Sequence, residues 1–223
     1  MIQPLASEDS PGSTLFPEYA TLLDLISREV QGLSDEQLDW ESDRWEWSKW
    51  SIRRQLSHMS ALTYSWLLRR WGDTLFPDGG HGVDDITSLV EMMDRYWGQA
   101  AANSPAYPEL PRILEALRGG IDLAQRVLAE RSVGFLRSHT LVLTGDPGPQ
   151  QVLMGNAHTS GVTRTGERTT LRTLEWTMRH IYFEETTHLY NIQRLKRAQG
   201  LSTVVEVPRV GYWVVDGWDR SEP

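Results

Sequence analysis

The stretch MRHIYFEETTHLYNIQRL, residues 178 to 195, reads as one helix that carries His180, Glu184 and His188 at four-residue steps. Imidazole and carboxylate groups one turn apart on a helix come close enough to bind a single divalent cation, which is why pairs at i and i+4 recur in zinc sites. At about 100° per residue, Glu184 lies roughly 40° to one side of His188 and Ile181 roughly 20° to the other, so Glu184 and His188 share the stripe that faces the core. His180, about 80° from His188, is a flank position suited to orienting a ligand or polarising an electrophile. Asn191, three residues after His188, is the second candidate for that catalytic role. Glu185, about 60° round on the other side, competes with Glu184 as the carboxylate. A hydrogen-bonded Glu–His pair with no ion is the plainer reading of the same pattern.

Two ligands do not make a site, and the chain contains no cysteine. Thiolate ligands, disulfides and a cysteine nucleophile are therefore excluded, and any metal must be held by His, Asp or Glu. The third ligand best placed is His58, the one further histidine on a clearly periodic helix. It flanks the apolar stripe of WSKWSIRRQLSHMSALTYSWLLRRW, where Ile52, Gln55, Leu56, Met59, Leu62, Trp66 and Leu67 line up at helical spacing. His58, Glu184 and His188 together offer two nitrogens and one oxygen, the protein set of a catalytic zinc site with its fourth position left to water or substrate. Iron or nickel would accept the same donors. Trp50 is expected to wall the pocket beside His58 and touch a bound cofactor, although most of the cluster Trp40, Trp45, Trp47 and Trp50 reads as packing. His81, His139 and His158 fall in loops, with His158 the spare ligand.

The elements that position these residues follow from periodicity and punctuation. Residues 1 to 15 are polar and rich in Pro, Ser and Gly, an arm expected to fray. Helix 1 is expected at 17–32, helix 2 at 51–71 with Ser48 or Ser51 as N-cap, and a shorter helical stretch at 84–102. Helix 3 begins near Pro111 and runs to about 137, with Gly119 and Gly120 marking either a kink or a close helix contact. Between His139 and Thr170, TLVLT and QVLMG read as a short β-hairpin around GDPGPQ. Helix 4 runs from Thr170 to a stop at Gly200, and an apolar tail from 201 to 223 is expected to dock as extended chain. Four helices with two long connections predict an all-α four-helix bundle over residues 1–200, with ligand sites between facing helices.

WSKWSIRRQLSHMS resembles the signature of the DinB and YfiT-like superfamily, an apolar helix followed by a metal-ligating His, and HIYFEETTHLYNIQRL is similar to its last-helix motif, where ligands stand four apart. The resemblance covers roughly residues 17 to 200. It implies a four-helix bundle, often a homodimer, with a divalent metal held by His58 on the second helix and by two residues of the last. Most members carry His at both last-helix positions, whereas this chain has Glu184 in the first. That set resembles the His, Glu, His zinc site of the mycothiol-dependent maleylpyruvate isomerase branch, and it favours Glu184 over Glu185. Members with assigned activities include transferases and an isomerase that use mycothiol, bacillithiol or glutathione.

Composition bounds what such a site serves. With 223 residues and 39% hydrophobic content the chain can bury one domain-sized core. A formal charge of -8 opposes nucleic acid and anionic membrane surfaces, because phosphate contacts need basic groups to release counterions. No run approaches the roughly 20 apolar residues of a membrane span, and the N-terminus lacks the charged start and apolar stretch of a signal peptide, so a cytoplasmic location is expected. The expected function is a metal-dependent transferase or isomerase that activates a small thiol. The rival class is a non-catalytic bundle that holds a metal or small ligand.

Overall fold

A computed structural model of the chain describes residues 6–93, 108–145, 155 and 157–223. It is mostly helical, with a small three-stranded antiparallel sheet. Helix α1 (Tyr19–Val30) buries Tyr19, Leu22, Ile26 and Val30, which recur at helical spacing, and the chain leaves it through Gly32 at φ 79°. The short α2 (Asp35–Asp39) opens with a capping box between Ser34 and Gln37. It is held to the next helix by Arg53, whose guanidinium bonds Asp39 at 2.6 Å and Asp35 at 2.5 Å.

Helix α3 (Ile52–Tyr64) begins at Ser51, whose hydroxyl accepts from the Arg54 N–H at 3.3 Å, and continues through a π-helical segment, Ser65–Arg70. The one-turn α4 (Gly72–Leu75) follows, then α5 (Ile86–Met93). The remainder of the helical stretch expected at 84–102 lies outside the described residues. Helix α6 (Leu110–Glu130), with proline in its first turn, runs straight through Gly119 and Gly120. A Cβ on Gly119 would strike the Tyr64 hydroxyl, and one on Gly120 would sit 3.3 Å from Thr63 Cβ, so the glycine pair marks a close approach of α6 to α3.

The helix expected to reach residue 137 instead stops at Glu130, and a separate α7 (Val133–Ser138) starts from an N-cap at Ser132. The break has a cause in the N-terminal arm, which does not fray over residues 8–14. The Gly12 N–H donates to Arg131 O, Val133 N–H donates to Ser10 O, and Gly134 N–H donates to Glu8 O, each at 2.8 Å, while Arg137 pairs with Glu8 at 2.7 Å. Backbone groups that would have continued the helix are satisfied by the arm.

Strand β1 (Thr140–Thr144) is the predicted TLVLT run, but its partner differs from the expected one. It pairs antiparallel with β3 (Thr169–Thr173), which also pairs with β2 (Val162–Arg164), giving the order β1-β3-β2. Apart from Gly155, QVLMG lies outside the described residues. Leu171, expected on the last helix, is therefore in a strand, and α8 (Leu174–Ala198) begins three residues later, capped by the Thr173 hydroxyl accepting from Trp176 N–H at 3.1 Å. Helix α8 ends at Gly200 with φ 73°, where Leu201 N–H reaches Lys196 O at 2.9 Å and Gly200 N–H reaches Arg197 O at 2.9 Å.

Helix α3 packs between α6 and α8, and α1 packs on α6 and α8, so the core lies among these four helices. The tail after Gly200 lies along α8. Tyr212 N–H donates to the Thr187 hydroxyl at 2.9 Å, Val204 and Val205 N–H donate to Glu29 at 3.0 Å, and Arg194 holds the carbonyls of Asp219 and Ser221 at 2.9 and 3.0 Å. Arg194 is buried. No helix among the described residues is long and apolar enough to cross a membrane.

Candidate metal centre

Helices α3 and α8 cross so that His58 meets His188, their ring centroids 4.9 Å apart. One ligand atom from each of His58, Glu184 and His188 lies within 4.8 Å of the others. Glu184 Oε2 and His188 Nε2 are 3.4 Å apart. A tetrahedral ion with bonds of about 2.1 Å spaces its donors about 3.4 Å from one another, so this pair already stands at the right separation. The side chains of Glu184 and His188 keep 14% and 11% of their surface exposed, so neither is fully closed off from solvent.

The tautomer of His188 is set from behind. Its Nδ1 bonds Oε1 of Gln55, a buried residue one turn before His58 on α3, so Nδ1 carries the proton and Nε2 turns its lone pair toward Glu184. A ligating imidazole is ordinarily oriented this way, through its other nitrogen. Burial alone would raise the Glu184 carboxyl, but the imidazole of His188, which donates to it once Nε2 is also protonated, and the neighbouring imidazoles outweigh burial and hold it down at about 2. Glu184 is therefore a carboxylate at neutral pH, the form a cation requires.

Glu185 lies about 100° round α8 from Glu184. It is fully buried, neither of its oxygens has a hydrogen-bond partner, and burial followed by repulsion from Glu184 pushes its carboxyl well above the usual range. A neutral acid among apolar groups is a poor cation ligand, so geometry and charge both select Glu184. Trp50 stands beside the trio, edge-on to His58 at 5.5 Å and stacked on His188 at 6.1 Å, with the Arg54 guanidinium 4.3 Å over its ring.

The remaining candidates separate. His180 lies one turn before Glu184 but sends its Nδ1 to the hydroxyl of Tyr212 at 2.5 Å. His158, the spare ligand, takes the same hydroxyl through Nε2 at 2.8 Å and so joins the His180 side instead of the trio. Burial is the main cause that lowers both imidazoles, His180 to about 4 and His158 to about 3, leaving each neutral at pH 7. Asn191 is corrected: its side-chain oxygen accepts from Arg194 at 2.7 Å, which spends it on the tail contact. Gln55 and Tyr212 are the site residues that sequence reasoning passed over. Gln55 stood in the apolar stripe of α3, and a polar side chain there was the available signal; nothing in the tail's sequence pointed Tyr212 at His180.

No family model, curated protein or solved structure matches this chain.

Proposed function

We propose that this chain is a divalent-metal-dependent enzyme, a transferase or isomerase that uses a low-molecular-weight thiol, built on a DinB/YfiT-like four-helix bundle of α1, α3, α6 and α8. The observation that carries the reading is the convergence of His58, Glu184 and His188, with His188 Nδ1 engaged by Gln55 and the side chains of Glu184 and His188 still partly exposed. Two imidazole nitrogens and a carboxylate suit zinc, and iron or nickel would fit the same donors. An ion held there would ionise a thiol that enters the open position. Because the chain has no cysteine, the sulfur arrives with a cosubstrate. Glu184 contributes the negative charge, Gln55 fixes the imidazole of His188, and Trp50 shields one flank from water. His180, neutral and hydrogen-bonded to Tyr212, supplies a proton-exchanging group one turn along α8.

The test is turnover. Zinc-loaded protein is incubated with mycothiol, bacillithiol or glutathione and an electrophilic acceptor such as maleylpyruvate. Thiol-dependent conversion is expected, and it should disappear on chelation and in His188→Ala. Conversion that survives chelation contradicts the proposal; thiol binding without conversion would place the chain among non-catalytic binding proteins.

A further inference from the structure

The four-residue ladder on α8 extends beyond the trio. Counting back from His188 and Glu184, the same steps reach His180, Trp176 and, at the end of strand β3 just before the helix, Arg172. Helix α3 and its π segment carry a matching ladder of His58, Leu62, Trp66 and Arg70. The two run antiparallel against each other. His58 meets His188 at 4.9 Å, Trp66 meets His180 at 4.9 Å, and Trp66 meets Trp176 at 5.8 Å. At the far end the Arg70 guanidinium lies 4.4 Å over Trp66 and that of Arg172 lies 4.1 Å over Trp176.

The net charge is -8, and several arginines find acids: Arg53 holds Asp35 and Asp39, Arg137 holds Glu8 and Glu175, and Arg179 holds Glu175, whereas the buried Arg194 is held by two backbone carbonyls and Asn191. Among the described residues no carboxylate pairs with Arg70 or Arg172, and Nε of Arg172 is buried without a hydrogen-bond partner. The positive charge of Arg70 is close enough to act on Arg172, and both act on His180. Two like charges gathered on adjacent tryptophans, with acids to spare elsewhere, leave an electrostatic demand that an incoming anion would meet. The residues between the arginines and the trio also differ from their neighbours in exposure. Leu62, Trp66, His180 and His188 each retain 8–9%, whereas Leu56, Met59, Leu67 and Ile181 beside them are at 0%.

We infer that Arg70 and Arg172 form the anion-holding end of an elongated site whose other end is the His58–Glu184–His188 trio, and that the site takes a small molecule with a terminal oxyanion, carboxylate or phosphate. The inference rests on the proposed metal function for its near end only. Trp66 and His58 are eight residues apart, about 12 Å at about 1.5 Å per residue. Allowing about 2.3 Å for a metal–sulfur bond and about 2.8 Å for a charge-assisted hydrogen bond, the ligand places its anion roughly 7 Å from its thiol. A π-helical segment carrying Trp66 and Arg70 fits this use, since such segments are concentrated at functional sites.

Metal-free protein is titrated with octanoate, octyl phosphate and octanol, all below micelle formation, and binding is read from the fluorescence of the tryptophans that underlie the guanidiniums. At least one anion is expected to bind about tenfold more tightly than octanol, and whichever does identifies the headgroup. The preference should shrink in Arg70→Met, an exposed position whose change leaves the fold intact, and vanish in Arg70→Met with Arg172→Met. Octanol binding as tightly as both anions, or a preference that survives the double change, overturns the inference. A second arm compares 6-mercaptohexanoate with hexanoate on zinc-loaded protein: a gain for the thiol reports the metal end. The metal reading can thus fail while the arginine pair stands, or the reverse.

Discussion

Gln55 shows how a single side chain decides whether two histidines and a carboxylate are a site or a salt bridge. Without a partner for Nδ1, the His188 imidazole would be free to take either tautomer, and its 3.4 Å approach to Glu184 would favour the protonated ring of an ordinary ion pair. With Nδ1–H bound by Gln55, the lone pair on Nε2 is available to a cation. Gln55→Leu keeps the size of the side chain and the apolar character of the stripe while removing the oxygen. It is expected to weaken zinc binding about 10–100-fold with little loss of helical signal. Competition with a chromophoric chelator measures this, and an unchanged affinity would remove Gln55 from the account. His58, Glu184 and His188 were legible from type and spacing, because a helix turns sequence distance of four into spatial adjacency. Asn191 shared that legibility and was still misread, since its actual partner, Arg194, is committed to a tail whose course leaves no local trace.

The helices were readable as elements, and their ends less so. Apolar spacing located α1, α3, α6 and α8, and a cap at Ser51 set one start, but the start of α8 after Thr173, the break after Glu130 and the pairing of β1 with β3 depend on chain segments far away in sequence. Strand partners are chosen by long-range hydrogen bonding, which periodicity does not encode; TLVLT was recognisable as a strand, and its neighbour was not. The glycine pair in α6 carried more information. In an exposed helix Gly→Ala would gain about 1 kcal/mol. Here a methyl on Gly119 displaces the Tyr64 hydroxyl from its 3.1 Å bond to Ala116 O. The lost hydrogen bond and the overpacking together exceed the propensity gain, so Gly119→Ala should destabilise the protein by about 1–2 kcal/mol in urea unfolding. A stabilised variant would mean that α3 and α6 are not in such close contact.

At the scale of the whole molecule, the tail is part of what orders the α8 ladder, because Tyr212 bridges His158 and His180 while its backbone is pinned to Thr187. The bridge carries a pH dependence. Both imidazoles are lowered from 6.5 in the fold, so the unfolded chain takes up protons first as the solution is acidified, and stability present above pH 6.5 declines toward the folded values of about 4 and about 3. Between pH 6.5 and about 5 each buried histidine lowers stability by about 1.4 kcal/mol per pH unit, and the neutral Glu185, which is ionised in the unfolded chain, offsets part of that fall. With metal removed by chelation, the urea midpoint should fall across that window, and His158→Phe should flatten the fall. A midpoint that is level from pH 6.5 to 5 would contradict the buried neutral histidines. All the proposed chemistry nevertheless depends on whether three side chains of α3 and α8 hold an ion. Metal analysis of protein purified without a histidine tag and dialysed against trace zinc addresses this most directly: about one equivalent is expected in the wild type and a small fraction of that in His58→Ala, Glu184→Ala and His188→Ala, because catalytic zinc sites rest on three protein ligands. Equal zinc in wild type and variants, or none in any of them, would contradict the account.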